Sequence, residues 1–279
     1  MTGGAGHAKN AGMPSRATTP QRVCLIIAGF DPSGGGGVLA DLRAARACDV
    51  HAVAAVTAVT AQNTFEIARM TPVPPDTLRD ELELLAREFP IGAVKLGMLG
   101  TAPLAAVVAD FLRSLPADLP VVLDPVLAAT AGLELFDADQ LPALTGLFPR
   151  CTLVTPNLPE LATLSNLEVG TPAAREAAAR RLLEMGARAV LVKGGHAGGT
   201  RVVDELVTGD DVQLFEGDRL VLPKIRGTGC FLASAIACGL LRGLALPAAI
   251  AEARALLLSR LPGAWFPGGH NGQLSDLSQ

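Results

Sequence analysis

The chain has 279 residues, of which 49% are hydrophobic and 18% charged, with 27 acidic against 23 basic side chains and a formal charge of −4. That length and apolar content suffice for the core of one large α/β domain, and the absence of a basic excess argues against a nucleic-acid partner. The five cysteines, Cys24, Cys48, Cys151, Cys230 and Cys238, form no C-x-x-C pair and follow no zinc or disulfide spacing, so a reducing cytoplasm is the expected location.

The first twenty residues are rich in Gly, Ala, Ser, Thr and Pro and lack an apolar stretch, which predicts a disordered leader at 1–20 and no signal peptide. A single domain is expected over 21–266 and a flexible tail over 267–279. Short β-branched runs predict strands at 22–28, 52–58, 93–96, 120–123, 151–154 and 189–193. Between them, Ala/Leu/Arg/Glu-rich segments predict helices at 35–48, 76–89, 103–114, 137–147, 158–165 and 172–186. Apolar strands alternating with helices indicate an α/β fold: a mostly parallel central sheet with helices on both faces and ligand sites at the carboxyl ends of its strands. The rhythm breaks at 201–222, where two β-rich runs flank Thr208-Gly209-Asp210-Asp211, and a small antiparallel hairpin at the sheet edge is expected. The longest apolar tract, Phe231 to Ile250, is interrupted by Arg242, Gly243 and Pro247. It predicts two packed helices, the second ending near Leu261, and no membrane partner.

Two glycine-rich segments carry the functional question. The first, Gly29-Phe30-Asp31-Pro32-Ser33-Gly34-Gly35-Gly36-Gly37, holds five of the thirty glycines just after the first strand. Gly35-Gly36-Gly37-Val38-Leu39-Ala40 satisfies a G-x-G-x-x-A dinucleotide pattern. However, the acidic residue that would hold a ribose at the end of the second strand is missing, the nearest being Glu66. No Walker A lysine follows any of these glycines. The second segment, Gly227-Thr228-Gly229-Cys230, marks a loop turning into a helix, whose N–H groups and dipole favour an anion. A thiol there is expected to titrate below its ordinary value of roughly 8.5; the plainer alternative is a helix cap beside a buried cysteine. Asn157 and Glu160 have capping-box spacing, and Lys193 ends a strand before Gly194-Gly195.

Taken in order, Ala28-Gly29-Phe30-Asp31-Pro32-Ser33-Gly34-Gly35-Gly36-Gly37, Thr60-Ala61-Gln62-Asn63-Thr64, Lys95-Leu96-Gly97-Met98-Leu99, Leu123-Asp124-Pro125-Val126, Thr155-Pro156-Asn157-Leu158-Pro159-Glu160, Val192-Lys193-Gly194-Gly195-His196 and Gly227-Thr228-Gly229-Cys230 resemble the motifs of the hydroxymethylpyrimidine/phosphomethylpyrimidine kinases of thiamine biosynthesis, within the ribokinase-like superfamily. The resemblance covers nearly the whole globular part. It implies a ribokinase-like kinase that uses ATP and Mg2+ to phosphorylate a small pyrimidine, 4-amino-5-hydroxymethyl-2-methylpyrimidine, and then its monophosphate, and that forms a homodimer. It assigns Gln62, Gly29, Gly36, Asp41, Met98 and Val126 to the pyrimidine, and Asn157, Glu160 and Asp124 to the metal. Lys193, Gly227, Thr228, Gly229 and Cys230 fall to catalysis, with Cys230 in the place of a general base; Lys193, Thr208, Arg226, Gly227 and Gly229 fall to the nucleotide. Ile225-Arg226 departs from the Thr-His pair usual before the Gly-Thr-Gly-Cys loop, and its arginine is a candidate phosphate contact or a solvent-facing side chain. The tail Pro267-Gly268-Gly269-His270-Asn271-Gly272 matches the family's ending only loosely, so no adenine contact is assigned there. A pyridoxal kinase and a non-catalytic pyrimidine-binding relative are the alternatives.

Overall fold

The computed structural model describes residues 21–128, 136, 138–196, 199–209, 211–269 and 271–275; the expected leader at 1–20 lies outside them. In chain order the elements are β1 (Val23–Phe30), α1 (Gly37–Ala47), β2 (Ala52–Gln62), β3 (Ile67–Pro72), α2 (Pro75–Glu88), β4 (Ile91–Leu96), α3 (Ala102–Ser114), β5 (Val121–Leu123), α4 (Leu141–Thr145), β6 (Leu153–Val154), α5 (Leu158–Ser165), α6 (Pro172–Glu184), β7 (Val190–Val192), β8 (Arg201–Thr208), β9 (Asp211–Asp218), β10 (Ile225–Arg226), α7 (Thr228–Leu241), α8 (Leu246–Arg260) and β11 (Gly272–Gln273).

One nine-stranded sheet runs β3-β2-β1-β4-β5-β6-β7-β8-β9. Its middle, from β2 to β7, is parallel, and both edges are antiparallel: β3 on β2, and the β8–β9 hairpin on β7. The chain leaves β1 toward β2 on one side and returns to β4 on the other. The crossovers therefore reverse between β1 and β4, and a crevice opens at the carboxyl ends of those strands.

Alternation along β1 explains the two-sided core, because successive side chains point to opposite faces. Leu25 and Ile27 join Leu78, Leu82, Leu104, Val108 and Leu161 from α2, α3 and α5 on one face. Cys24 joins Ala44, Phe231, Ile236 and Ile250 from α1, α7 and α8 on the other. Helix α7 is buried along most of its length, as its nearly continuous apolar sequence requires.

Several elements differ from expectation. β2 continues to Gln62 and turns into β3, which the sequence hides because it is an edge strand with mostly exposed side chains ending in Pro72. The helix expected at 137–147 is a short 3-10 turn, Ala138–Gln140, followed by α4, as Pro142 and Gly146 allow no longer run. Within the segment expected as a flexible tail, residues 272–274 return to the fold: β11 pairs in parallel with β10, and Gln273 and Leu274 are buried. Among the described residues, no helix is long and apolar enough to cross a membrane.

Leu25 has no exposure at all, so Leu25→Ala should cost about 2–5 kcal/mol in urea unfolding. Truncation of the half-exposed Val59 should stay within about 0.5 kcal/mol. Equal losses at the two sites would refute the assigned core.

Candidate active site

A cavity of about 110 Å³ opens at the switch point, concave and mostly apolar with a few convergent polar groups, as small-molecule sites are. Its walls come from strand ends and the two glycine loops. β1 and its loop supply Gly29, Asp31 and Gly36; β2 supplies Thr60 and Gln62; β4 and β5 lead to Lys95, Met98 and Val126; the start of α7 supplies Arg226, Gly227 and Cys230. Five residues expected at the pyrimidine, Gln62, Gly29, Gly36, Met98 and Val126, thus meet in one pocket.

Backbone contact shapes these walls. Gly227 caps α7 with φ 75°, in the left-handed region that favours glycine, and a Cβ there would lie 2.1 Å from the carbonyl oxygen of Gly35. Gly37, with φ 56°, likewise faces the carbonyl oxygen of Gly29 at 2.1 Å from its would-be Cβ. Met98 lies over Gly29, where any Cβ would meet its methyl group, and Thr57 Oγ1 fixes Met98 by donating to its carbonyl at 2.6 Å.

No side chain caps α7, so the amide hydrogens of its first turn, from Thr228 to Cys230, are left for a ligand. Beside them stands Lys193. A Cβ on Gly229 would sit 3.2 Å from Lys193 Nζ and 3.8 Å from Asp124 Oδ2, so the helix start lies close against both. Lys193 Nζ donates to Asp124 Oδ1 at 2.6 Å and lies 3.9 Å from Glu160 Oε2. Burial works against both charges of the close pair, but mutual attraction prevails. Lys193 is carried above its ordinary value by Asp124 and Glu160, and Asp124 is held below the usual carboxylate range by Lys193 and Lys95.

The capping box is formed: Glu160 N donates to Asn157 Oδ1 at 2.9 Å and Asn157 N to Glu160 Oε2 at 2.7 Å. The Asn157 side chain therefore serves the start of α5, leaving Glu160 and Asp124 as the carboxylates available to a cation. Burial pushes Glu160 up to about 7, Lys193 pulls it back and Asp124 adds to the rise. Among the described residues no group of three or more His, Cys, Asp or Glu is placed to hold a metal. Two carboxylates beside an uncapped helix start would suit Mg2+, which takes few protein ligands and completes its shell with water and phosphate oxygens.

Four expectations are corrected. Asp41 does not line the pocket: it is fully buried, with its oxygens 2.8 and 2.7 Å from Lys95 Nζ and Oδ1 2.8 Å from Ser234 Oγ. Thr208 is not near the phosphate end. Because β8 is antiparallel to β7, with Val192 opposite Glu205 and Val190 opposite Val207, Thr208 lies at the amino edge of the sheet, about 13 Å along the strand from the level of Lys193. Arg226 is not solvent-facing, since its buried guanidinium is bonded to Asp31, Ser33, Gln62 and Asn63. Finally, Cys230 is no low-pKa thiol. Burial pushes it up to about 12, and the carboxylates of Asp41 and Asp124 add to this, outweighing Lys95 and the Gly37 amide.

Lys95 is the residue the sequence reading missed. It is among the largest fully buried side chains of the described residues, reaching the pocket floor from the face covered by α1 and α7. Gly97 leaves space for its ammonium, which would lie 2.8 Å from a Cβ there. Burial alone would lower its pKa, but the Asp41 carboxylate outweighs that and keeps it charged. The available signal was a cation inside the apolar strand Ala93-Val94-Lys95-Leu96, which requires a buried anion to face it.

A family described as phosphomethylpyrimidine kinase matches residues 31–275. The chain is 37% identical over 233 residues to the hydroxymethylpyrimidine/phosphomethylpyrimidine kinase of Aquifex aeolicus, covering 83% of this chain and 91% of the relative. It is 38% identical over 261 residues to the protein of the same name from Mycobacterium tuberculosis, covering 93% and 94%. Among solved structures, an ADP complex of Bacillus subtilis pyridoxal kinase superimposes with a TM-score of 0.82 at 27% identity, over 91% of this chain and 97% of that one. Phosphomethylpyrimidine kinase from Clostridium difficile gives 0.75 at 27% identity, over 86% and 99%. These neighbours share the ribokinase-like sheet expected from the motifs, and a match that runs over residues 31–275 means that the chain belongs to the phosphomethylpyrimidine kinase family.

Proposed function

We propose that the cavity receives 4-amino-5-hydroxymethyl-2-methylpyrimidine, and then its monophosphate, and that the terminal phosphoryl group of ATP is transferred to it at the start of α7. The observation that carries this reading is the convergence of Gln62, Gly29, Gly36, Met98 and Val126 with Gly227 and Cys230 around one pocket, next to the cluster of Lys193, Asp124 and Glu160. ATP as donor is supported by the nucleotide complexes of the structural neighbours. One of these is Staphylococcus aureus pyridoxal kinase with AMP-PCP and pyridoxal, at 28% identity and a TM-score of 0.82.

The residues divide the work. Gln62 offers both a donor and an acceptor to an aminopyrimidine edge, while Met98 and Val126 pack on the ring. The first-turn amides of α7 and the Lys193 ammonium face the charge on the transferring phosphoryl group without having to reorganise. Asp124 keeps Lys193 charged and aimed. Glu160 and Asp124 would hold Mg2+, which when bound with ATP neutralises phosphate charge. Cys230 faces the hydroxymethyl group as a neutral thiol. Phosphoryl transfer passes through a loose transition state in which the acceptor proton is lost late, so a preformed thiolate is not required.

Substitution of Gln62 by Ala should raise the KM of the pyrimidine about 10- to 100-fold and leave that of ATP unchanged. Glu160→Ala should instead depress kcat and raise the Mg2+ requirement; unchanged kinetics in both variants would remove the site assignment.

The Cys230 pKa gives a pH test. A thiol titrating at about 12 is protonated at neutral pH and gains thiolate only as pH rises. A thiolate base would therefore make the first phosphorylation climb about tenfold per pH unit from 7 to 9. The neutral-thiol reading expects a flat profile over that interval and a Cys230→Ser enzyme within about tenfold of the parent. A steep slope that disappears in Cys230→Ser would restore the base.

Pyridoxal is the competing acceptor, favoured by the pyridoxal kinase neighbours and by a thiol in the pocket wall. ADP release measured in parallel with the pyrimidine, its monophosphate and pyridoxal, with and without Mg2+, decides between them. Turnover of pyridoxal alone would overturn the pyrimidine reading, and binding of the pyrimidine without ADP would make the chain a non-catalytic relative.

A further inference from the structure

Arg226 stands at the pocket wall on β10, whose backbone is paired with β11, and its side chain is only 9% exposed. Nη1 donates to the carbonyl oxygen of Asn63 at 2.7 Å and to Ser33 Oγ at 3.3 Å. Nη2 donates to Asp31 Oδ2 and to Gln62 Oε1, each at 3.2 Å. One guanidinium thus joins the first glycine loop to the end of β2. The contact with Gln62 has a further consequence. A terminal amide beside a neutral neighbour can rotate to exchange its oxygen and nitrogen, but a guanidinium carries donors only. The amide atom facing Arg226 must be the oxygen, and the NH2 group is turned away from it.

We propose that Arg226 is a specificity-determining positioning residue that locks the Gln62 amide in one orientation. This rests on the assignment of the pocket to a heterocycle under Proposed function and deepens it. Locked in this way, Gln62 presents N–H donors to an acceptor nitrogen in the ring, and the second lone pair of Oε1 to an amino group on the adjacent carbon. The chemical class selected is a six-membered aromatic ring with an acceptor nitrogen next to an amino-bearing carbon. The corresponding oxo ring, with N–H beside C=O, sets donor against donor and acceptor against acceptor. An unlocked amide would flip to fit it.

The test compares binding of 4-amino-5-hydroxymethyl-2-methylpyrimidine and its 4-oxo counterpart to the full chain by calorimetry, together with the KM of ATP. The parent should prefer the amino ring by about 10- to 100-fold, and Arg226→Met should reduce that ratio several-fold with the ATP KM unmoved. Arg226→Met leaves Asp31 without its cation, so Arg226→Lys serves as the second variant: it keeps the charge but cannot span Asp31, Gln62 and Asn63 together, and it should also narrow the ratio. In a Gln62→Ala background, Arg226→Lys should have no further effect on the ratio. A ratio unchanged in the folded variants, or a rise in ATP KM as the main effect, would overturn the proposal, as would a parent that binds neither ring. A parent that binds the amino ring selectively but releases no ADP would refute the kinase reading while leaving the lock in place.

Discussion

The site is built on a contact between two stretches of backbone. The carbonyl oxygen of Gly35 lies where a side chain on Gly227 would begin, 2.1 Å from the Cβ position, so the first glycine loop and the entry to α7 touch with nothing between them. That contact brings Arg226, Gly227 and Cys230 onto the same cavity as Gly29, Asp31 and Gln62, although the two groups are separated by more than half of the chain. It depends on the topology as well. Only because the crossovers reverse between β1 and β4 does a crevice exist at the strand ends for the loops to enclose.

Around that crevice the fold places three buried ion pairs: Lys95 with Asp41 at 2.7 Å, Lys193 with Asp124 at 2.6 Å and Arg226 with Asp31 at 3.2 Å. Burying a charge costs several kcal/mol, and a pair seldom adds net stability. Similarly buried pairs, Arg254 with Asp204 and Arg175 with Glu205, lie away from the cavity, so burial alone does not mark function; what sets the three apart is that each places its cation at or beside the pocket wall. Each pair orients a cation in a dry setting. Lys95 does so at the pocket floor, Lys193 beside the start of α7 and Arg226 behind the Gln62 amide. The same dry setting that sharpens these interactions raises Glu160 and Cys230, since the loss of water costs each anion more than Lys193 or Lys95 returns.

What could be read from the sequence, and what could not, follows from the range of the forces involved. The parallel strands and the caps are local in origin: apolar runs fix β1 and β4, and the capping-box spacing of Asn157 and Glu160 fixes the start of α5. The pocket residues carried by strand ends were accessible through their motifs. The misassignments involve partners distant in sequence. Asp41 looked like a polar group on a helix next to the site until Lys95, 54 residues on, took both of its oxygens. Thr208 was misplaced because a strand's direction within a sheet is set by pairing, and no residue in 201–208 reveals that β8 runs against β7. Cys230 was misjudged because the position of a thiol on a helix is local information, whereas the partial burial and the distant carboxylates that raise it belong to the whole fold.

The departure at Ile225-Arg226 and the loosely matching tail also turn out to be one feature. Arg226 is held by backbone pairing with Gln273, and Asn271 Nδ2 donates to the carbonyl oxygen of Thr64 at 2.7 Å. Both contacts converge on the turn from Gln62 to Glu66, which Asn63 closes by accepting from the amides of Phe65 and Glu66 at 3.0 Å each. A long buried arginine before the Gly-Thr-Gly-Cys loop needs its backbone fixed and its far end answered by acceptors. The C-terminal strand supplies the first, and Asp31, Gln62 and Asn63 supply the second. An arginine at this position is thus part of a larger arrangement, in which residues 271–273 brace the wall of the cavity and the Gln62 amide is held from behind.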